Sequence, residues 1–284
     1  MSNGFTVIPL PGPLASLLAL VVGAVTGSFL NVCIHRLPRG EPVAYPGSHC
    51  PSCGSGLTAR DLVPILSYIA LRGRCRHCGA RIPARYPVVE LGTGAVFWAI
   101  WATGVRGWGY WGGGPGAAGQ GAGAGGVTWA MVSGAVLVCL VMVAGIIDLE
   151  HGLIPDRVTF PGMAAGLVAG LMAPAPVSGS HLAGLWSSIL GLAAGGGLVL
   201  VVAALSRGGM GGGDVKLLAM VGSFLGPLGA VEAFFIACII GAIVGAGLIL
   251  AGRKGRKDHV PFGPFVAAST IAMILFGGAL PWRL

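Results

Sequence analysis

The fold class that the sequence predicts is an all-α polytopic membrane protein of about eight transmembrane helices, with a small polar insertion between the first two. Three observations predict it. Of 284 residues, 55% are hydrophobic and only 9% charged, whereas a soluble domain carries roughly a quarter charged residues. The apolar residues gather into runs of the length a bilayer needs, about 20 residues of helix. The basic residues gather in the gaps between those runs, 15 on one predicted side and two on the other.

The runs lie near 13–36, 87–105, 127–147, 157–175, 183–205, 213–229, 231–251 and 261–280. The first lacks the basic stretch and small-residue cleavage site of a removable leader, so it reads as a retained helix. Gly27, Asn31 and His35 recur on one face of it, as an interhelical hydrogen-bonding seam would. Glycine is abundant, at 52 residues, and spacings such as Gly162, Gly166 and Gly170 let helix backbones approach closely in lipid. Residues 107–126 are low-complexity Gly/Ala and read as a loop.

Charge orients the chain. Eight arginines from Arg36 to Arg85 fall in the first loop, Arg157 in the third and Arg207 with Lys216 in the fifth. The cluster Arg253, Lys254, Arg256 and Lys257 falls in the seventh, and only Arg106 and Arg283 lie opposite. The positive-inside rule makes the crowded side cytoplasmic, with both termini external. The net charge of +8 therefore reflects topology: no basic–aromatic interleaving for nucleic acid is present, and the expected partner surface is the lipid bilayer. The expected organisation is a first helix (1–36), a cytoplasmic four-cysteine insertion (37–86), a second helix with the Gly-rich external loop (87–126) and a six-helix domain (127–284).

Within the insertion, Cys50-Pro51-Ser52-Cys53 and Cys75-Arg76-His77-Cys78 are two CxxC pairs, each followed by a glycine, Gly54 and Gly79. Four thiolates at this spacing suit a tetrahedral structural zinc ion, whose binding would supply the folding energy a polar segment lacks. Disulfides are the competing chemistry, disfavoured on a reducing cytoplasmic side.

Only nine residues are acidic. Most border polar loops, and Asp156 after Ile154-Pro155 is placed to cap the helix that follows. Asp148 and Asp214 differ. Asp148 ends the apolar run from Val136, and Asp214 follows Gly211-Gly212-Gly213 and precedes the run from Leu217. Ionisable groups at such positions are functional candidates by default. Both fall at the cytoplasmic ends of their runs. The glycines would let an extended peptide approach the backbone. Two carboxylates sharing a proton in a low-dielectric site can activate water and polarise a scissile carbonyl. The bland alternative is a pair of interfacial caps bonded to Arg157 or Lys216.

Taken in order, these residues resemble the bacterial type IV prepilin peptidases, the prepilin leader peptidase/N-methyltransferases. The likeness rests on Gly27-Ser28-Phe29-Leu30-Asn31-Val32 with Arg36-Leu37-Pro38, and on the cysteine segments with Leu71-Arg72-Gly73-Arg74. It continues through Arg85-Tyr86-Pro87-Val88-Val89-Glu90, Asp148 with Ile154-Pro155-Asp156, and Gly211-Gly212-Gly213-Asp214-Val215-Lys216, which matches the GxGD motif. The resemblance implies catalytic Asp148 and Asp214, with Gly211, Gly213, Lys216 and Asp156 supporting the substrate or the loops. It implies prepilins or pseudopilins as substrates, cleaved at the cytoplasmic face of the inner membrane. It also implies methylation of the new N-terminus from S-adenosylmethionine, associated with Gly73, Arg74 and Glu90. Two other readings stay open: a peptidase alone, whose zinc loop docks a partner, and a transporter or metal-responsive channel with the aspartates as ion ligands.

Overall fold

Helices supply the regular structure of this protein in the computed structural model, which describes residues 12–103, 128–172, 180–205, 210–253, 255 and 260–277. The predicted Gly/Ala loop, both chain ends and the basic residues Arg106, Arg207, Lys254, Arg256, Lys257 and Arg283 lie outside the described residues. The helices are α1 (Gly12–Arg36), α2 (Leu66–Ala70), α3 (Arg85–Thr103), α4 (Trp129–His151), α5 (Asp156–Met172), α6 (His181–Leu205), α7 (Gly212–Leu250) and α8 (Gly263–Phe276). Helices satisfy every backbone group within one segment, which is what a lipid environment demands. The chain divides into two units, residues 8–102 and 103–284.

In the first unit, α1 and α3 meet through missing side chains. A Cβ on Gly23 would stand 2.8 Å from Gly94 Cα, and one on Gly27 would stand 2.8 Å from Glu90 Cα. At this close approach Asn31 Nδ2 donates to the Tyr86 carbonyl at 3.1 Å, so Gly27 and Asn31 of the polar stripe form an interhelical seam, while His35 pairs with Arg39. Arg36 ends α1, is buried, and donates to the carbonyls of Pro42, Val43, Pro46 and Gly47. One guanidinium thereby folds the outgoing chain back onto the helix end.

In the second unit, α4 packs on α5 and α8, while α7 packs on α5, α6 and α8. Thr128 caps the start of α4 by accepting from Met131 N–H, and Gly152, at φ +64°, ends it. The predicted glycine seam of α5 faces α7: Gly162 lies on Met220, and a Cβ on Gly166 would reach 2.7 Å from that of Ser223.

Helix α7 spans 39 residues but is not one rod, because Gly226 (φ +72°, ψ 179°) interrupts it just before Pro227. A Cβ on Gly222 would lie 3.1 Å from Ala230 Cβ, although eight residues of straight helix span about 12 Å. The chain therefore doubles back at Gly226 into two arms, 212–225 and 227–250. Only glycine adopts this backbone readily.

Helical segments coincide with all eight predicted runs, the sixth and seventh as these arms. By length and apolarity, four helices among the described residues are fit to cross a membrane: Pro13–Arg39, Trp129–His151, His181–Leu205 and Gly212–Leu250. This measure falls short of the predicted eight for physical reasons. Helix α8 has 14 residues and α5 has 17, α3, at 19, opens with polar residues and carries Glu90, and α7 is counted once although it reverses at Gly226.

Candidate active site and metal centre

Asp148 lies on the last turn of α4 and is buried, 7% exposed. A helix C-terminus is an unfavourable place for a carboxylate. The compensation comes from α8, whose first residue, Gly263, donates its N–H to Asp148 Oδ2 at 2.8 Å. A Cβ on Gly263 would stand 2.8 Å from that oxygen, so a glycine is what the contact allows. Sequence reasoning missed Gly263. Its only local signal is the Pro261-Phe262-Gly263-Pro264 run that opens a helix.

Asp214 lies in the first turn of α7, half-buried, and its Oδ2 accepts from the N–H of Gly211 at 3.1 Å. Here the helix dipole favours a carboxylate. Gly212 faces open space, whereas a Cβ on Gly213 would come within 3.1 Å of Ile154 Cβ. Ile154 belongs to the turn after α4, six residues beyond Asp148.

The same turn is joined to α7 a second time. Lys216 Nζ donates to Asp156 Oδ1 at 2.6 Å and sits 5.3 Å from the centre of the Phe160 ring. Asp156 is therefore the first residue of α5 and an ion-pair partner, not the cap that its position suggested. The bonded pair is Lys216 with Asp156. Two contacts, Gly213 on Ile154 and Lys216 on Asp156, thus tie the segment after Asp148 to the segment bearing Asp214, and α4 itself touches α7.

The four-cysteine segment belongs to the first unit. Its two halves repeat one backbone pattern. Gly54 N–H donates to Cys50 O and Gly79 N–H to Cys75 O, while Cys50 and Cys75 N–H donate to Ser55 O and Ala80 O. Gly54 and Gly79 sit at φ +72° and +71°, the left-handed conformation that closes each knuckle. The four Sγ atoms lie within 4.8 Å of one another, with Cys50 and Cys78 at 3.9 Å. A tetrahedral ion with metal–sulfur bonds of about 2.3 Å places sulfurs about 3.8 Å apart, so the donors fit a zinc-sized cation. All seven cysteines are free thiols.

Charge in the cluster points the same way. Hydrogen bonds from Ser55 lower the Cys53 thiol to about 6, and backbone hydrogen bonds at Cys78 and His77 lower Cys75. At Cys78 the Ala80 N–H lowers the pKa, but desolvation and the neighbouring thiols outweigh it and raise the group to about 11. Such crowding of like charge is what a bound dication relieves. Nearby, the Thr58 hydroxyl and N–H, then Arg76 at 2.8 Å, hold Asp61 down at about 2. This pins the turn Ala59–Asp61 to the second knuckle.

A cavity of about 270 Å³ opens in the same unit, bounded by α1, α3 and the cysteine segment. Glu90 lines it, is 7% exposed, and accepts from Ile65 N–H at 2.7 Å. Gly73 and Arg74 are not on its wall. Gly73 instead backs Tyr68, which is: a Cβ there would meet the Tyr68 ring at 3.0 Å. Arg74 is exposed and its backbone pairs with that of Arg81 in an isolated antiparallel bridge.

Comparison with known proteins follows the same division. Residues 21–103 match the bacterial Peptidase A24 N-terminal domain, and residues 135–246 match the type IV leader peptidase family. The chain is 32% identical to a prepilin leader peptidase/N-methyltransferase of Bacillus subtilis (strain 168), over 92% of this chain and 94% of that protein. It is 36% identical to one of Burkholderia pseudomallei (strain 1026b), over 94% and 87%, and 33% identical to one of Aeromonas hydrophila, over 94% and 93%. No solved structure matches. With both family regions matched in order, and relatives aligned over nearly their full length, the chain belongs to the type IV leader peptidase family.

Proposed function

We propose that this protein is a membrane-embedded aspartic endopeptidase that removes the leader peptide of type IV prepilins or pseudopilins, with Asp148 and Asp214 as its acid–base pair. The observation that carries this reading is the double tie between the turn after Asp148 and the start of α7, through Gly213 on Ile154 and Lys216 on Asp156. It supports a shared site built from two aspartates far apart in sequence.

The chemistry follows from the pairing. Two close carboxylates hold one proton between them. The ionised member takes a proton from water as its oxygen attacks the scissile carbonyl carbon. The protonated member gives its proton to the carbonyl oxygen. Collapse of the tetrahedral intermediate breaks the carbon–nitrogen bond and returns a proton to the leaving amine. Gly263 N–H fixes the orientation of Asp148, Gly211 N–H that of Asp214, and Gly212 leaves room for an extended backbone.

The reading extends to zinc held by Cys50, Cys53, Cys75 and Cys78. A closed four-sulfur site has no position for water, so the metal folds the insertion and takes no part in hydrolysis. It extends also to N-methylation of the new N-terminal residue, for which S-adenosylmethionine supplies a methyl group to the free amine. In this reading Gly73 acts through Tyr68, and Arg74 belongs to the backbone of the second knuckle. About eight crossings, external termini and an active site at the cytoplasmic face of the inner membrane complete the arrangement. The test is cleavage of a purified prepilin by nanodisc-embedded protein: Asp148→Asn and Asp214→Asn should each abolish it, and substantial cleavage by either variant removes that aspartate from the pair.

A further inference from the structure

The turn that leads into α2 presents its apolar side outward. Leu62, Val63, Leu66 and Ile69 are 41–65% exposed, although they belong to the polar, cysteine-bearing segment. Ser67, by contrast, is buried, and its hydroxyl donates to the Arg60 carbonyl at 2.7 Å. A surface turn in water has the opposite arrangement. Grouped apolar side chains of this kind mark a contact with another protein or with a membrane.

The turn lies beside the helices of its unit rather than beyond their ends. Ile65 N–H donates to Glu90 Oε2 at 2.7 Å, and Glu90 Cα stands 2.8 Å from where a Cβ on Gly27 would be. Gly27 precedes Arg36, the end of α1, by nine residues, about 13 Å of helix. The Glu90 side chain leans toward the start of α3, so Ile65 meets it between that level and the helix end. Ser28 and Val32 of α1 share a cavity wall with Leu62, Val63 and Ile65. Helix α1 is among those fit to cross a membrane, and Val88 and Leu91, on either side of Glu90 in α3, are exposed.

The backbone of the turn suits a medium poor in water. The N–H groups of Leu62, Leu66, Ser67, Ile69 and Leu71 all donate to carbonyls within residues 59–67, Pro64 has none to offer, and Glu90 accepts from Ile65. Irregular backbone at membrane depth is tolerated where protein meets its polar groups. Charge then selects the surface. Arg60 and Arg72 bracket the apolar side chains and are exposed. Residues 37–86 carry seven arginines against two acids, Glu41 and Asp61. Long cationic side chains beside an inserted apolar face reach anionic headgroups.

We propose that residues 62–69 insert into the headgroup–acyl boundary of the bilayer, and that Arg60 and Arg72 bind anionic phospholipid headgroups there. The inference is independent of the peptidase and methylation readings.

The test places the photoreactive residue p-benzoylphenylalanine at Leu66, at Ile69 or, as a control, at Ser52, which is exposed between Cys50 and Cys53. Each metal-loaded full chain is irradiated in nanodiscs of phosphatidylethanolamine and phosphatidylglycerol with prepilin present, metal content confirming the fold. Mass spectrometry should find phospholipid acyl chains joined to positions 66 and 69, at least tenfold above position 52. Adducts there with prepilin or a second copy of this chain in place of lipid, or no excess over position 52, overturn the proposal. Phosphatidylglycerol should be enriched at least twofold in the adducts over its share of the bilayer. Arg60→Gln with Arg72→Gln should abolish that enrichment. Lipid captured in proportion to bilayer composition by the unsubstituted arginines overturns their assignment.

Discussion

The backbone N–H of Gly263 donates to Asp148 Oδ2 at 2.8 Å, so the start of the last described helix holds a carboxylate 115 residues earlier in the chain. A side chain at position 263 would collide with Asp148, at 2.8 Å from Oδ2 and 2.9 Å from Cβ. Gly263→Ala should therefore displace Asp148 without removing it. A misplacement near 1 Å costs about a hundredfold in rate. The expected outcome is a kcat for prepilin cleavage lower by about that factor, a nearly unchanged KM, and normal membrane insertion. Wild-type kcat in Gly263→Ala would show that the contact with Asp148 has no part in the proposed catalysis.

Asp156 and Lys216 make a single ion pair that is partly exposed on both sides. Pairs of this kind contribute about 0–1 kcal/mol. Asp156→Asn and Lys216→Met should thus leave thermal stability almost unchanged while loosening the tie between the α4–α5 turn and α7. Cleavage should fall moderately in each, by less than in Asp148→Asn, and the double variant should be no worse than the more damaged single one. Additive losses in the double-mutant cycle would mean that the two side chains act separately.

The metal prediction concerns Cys50, Cys53, Cys75 and Cys78. Elemental analysis of the purified protein should find one zinc per chain, and any single Cys→Ser substitution should release it. Proteolysis of the insertion should then accelerate, with methylation lost. Prepilin cleavage should persist well above the level of the Asp148 variant, because the aspartates belong to the other unit. Zinc-free protein with four reactive thiols and full methylation would contradict this.

Asp61 supplies a pH signature. Its pKa lies at about 2, against an ordinary 3.8, through the Thr58 hydroxyl and N–H and then Arg76. A depressed carboxylate stabilises the fold fully above its unfolded pKa and loses that contribution as pH falls through its folded one. The Asp61→Asn penalty, read as faster hydrogen exchange over residues 58–62, should be constant from pH 7 to about 4. It should shrink toward zero between about 4 and 2. A penalty that persists at pH 2 would assign the effect to packing.

Much of this protein is decided by local sequence alone. Apolar runs separated by basic gaps require helices in lipid, because no other segment closes its own hydrogen bonds there, and the helical segments fall on the predicted runs. The CxxC pairs with Gly54 and Gly79 carry their geometry with them. Each knuckle closes over five residues through one left-handed glycine. The glycine seam of α5 likewise marks a close helix contact before the partner is known.

Other features depend on residues far apart in the chain. That Lys216 bonds Asp156, that Gly263 supports Asp148, and that Ile154 rests on Gly213 are outcomes of helix packing, which periodicity does not encode. The reversal at Gly226 was legible only as two short runs, since glycine before proline fits a kink, a turn or a break equally well. The cavity is the clearest case. Asn31 reads as a helix-seam residue and Glu90 as a loop-border acid until α1 and α3 come together through Gly23 and Gly27. Only then does the Asn31 side chain lose water, with its Oδ1 left without a donor, and the Glu90 carboxylate find the Ile65 N–H, because burial makes every unmade hydrogen bond costly.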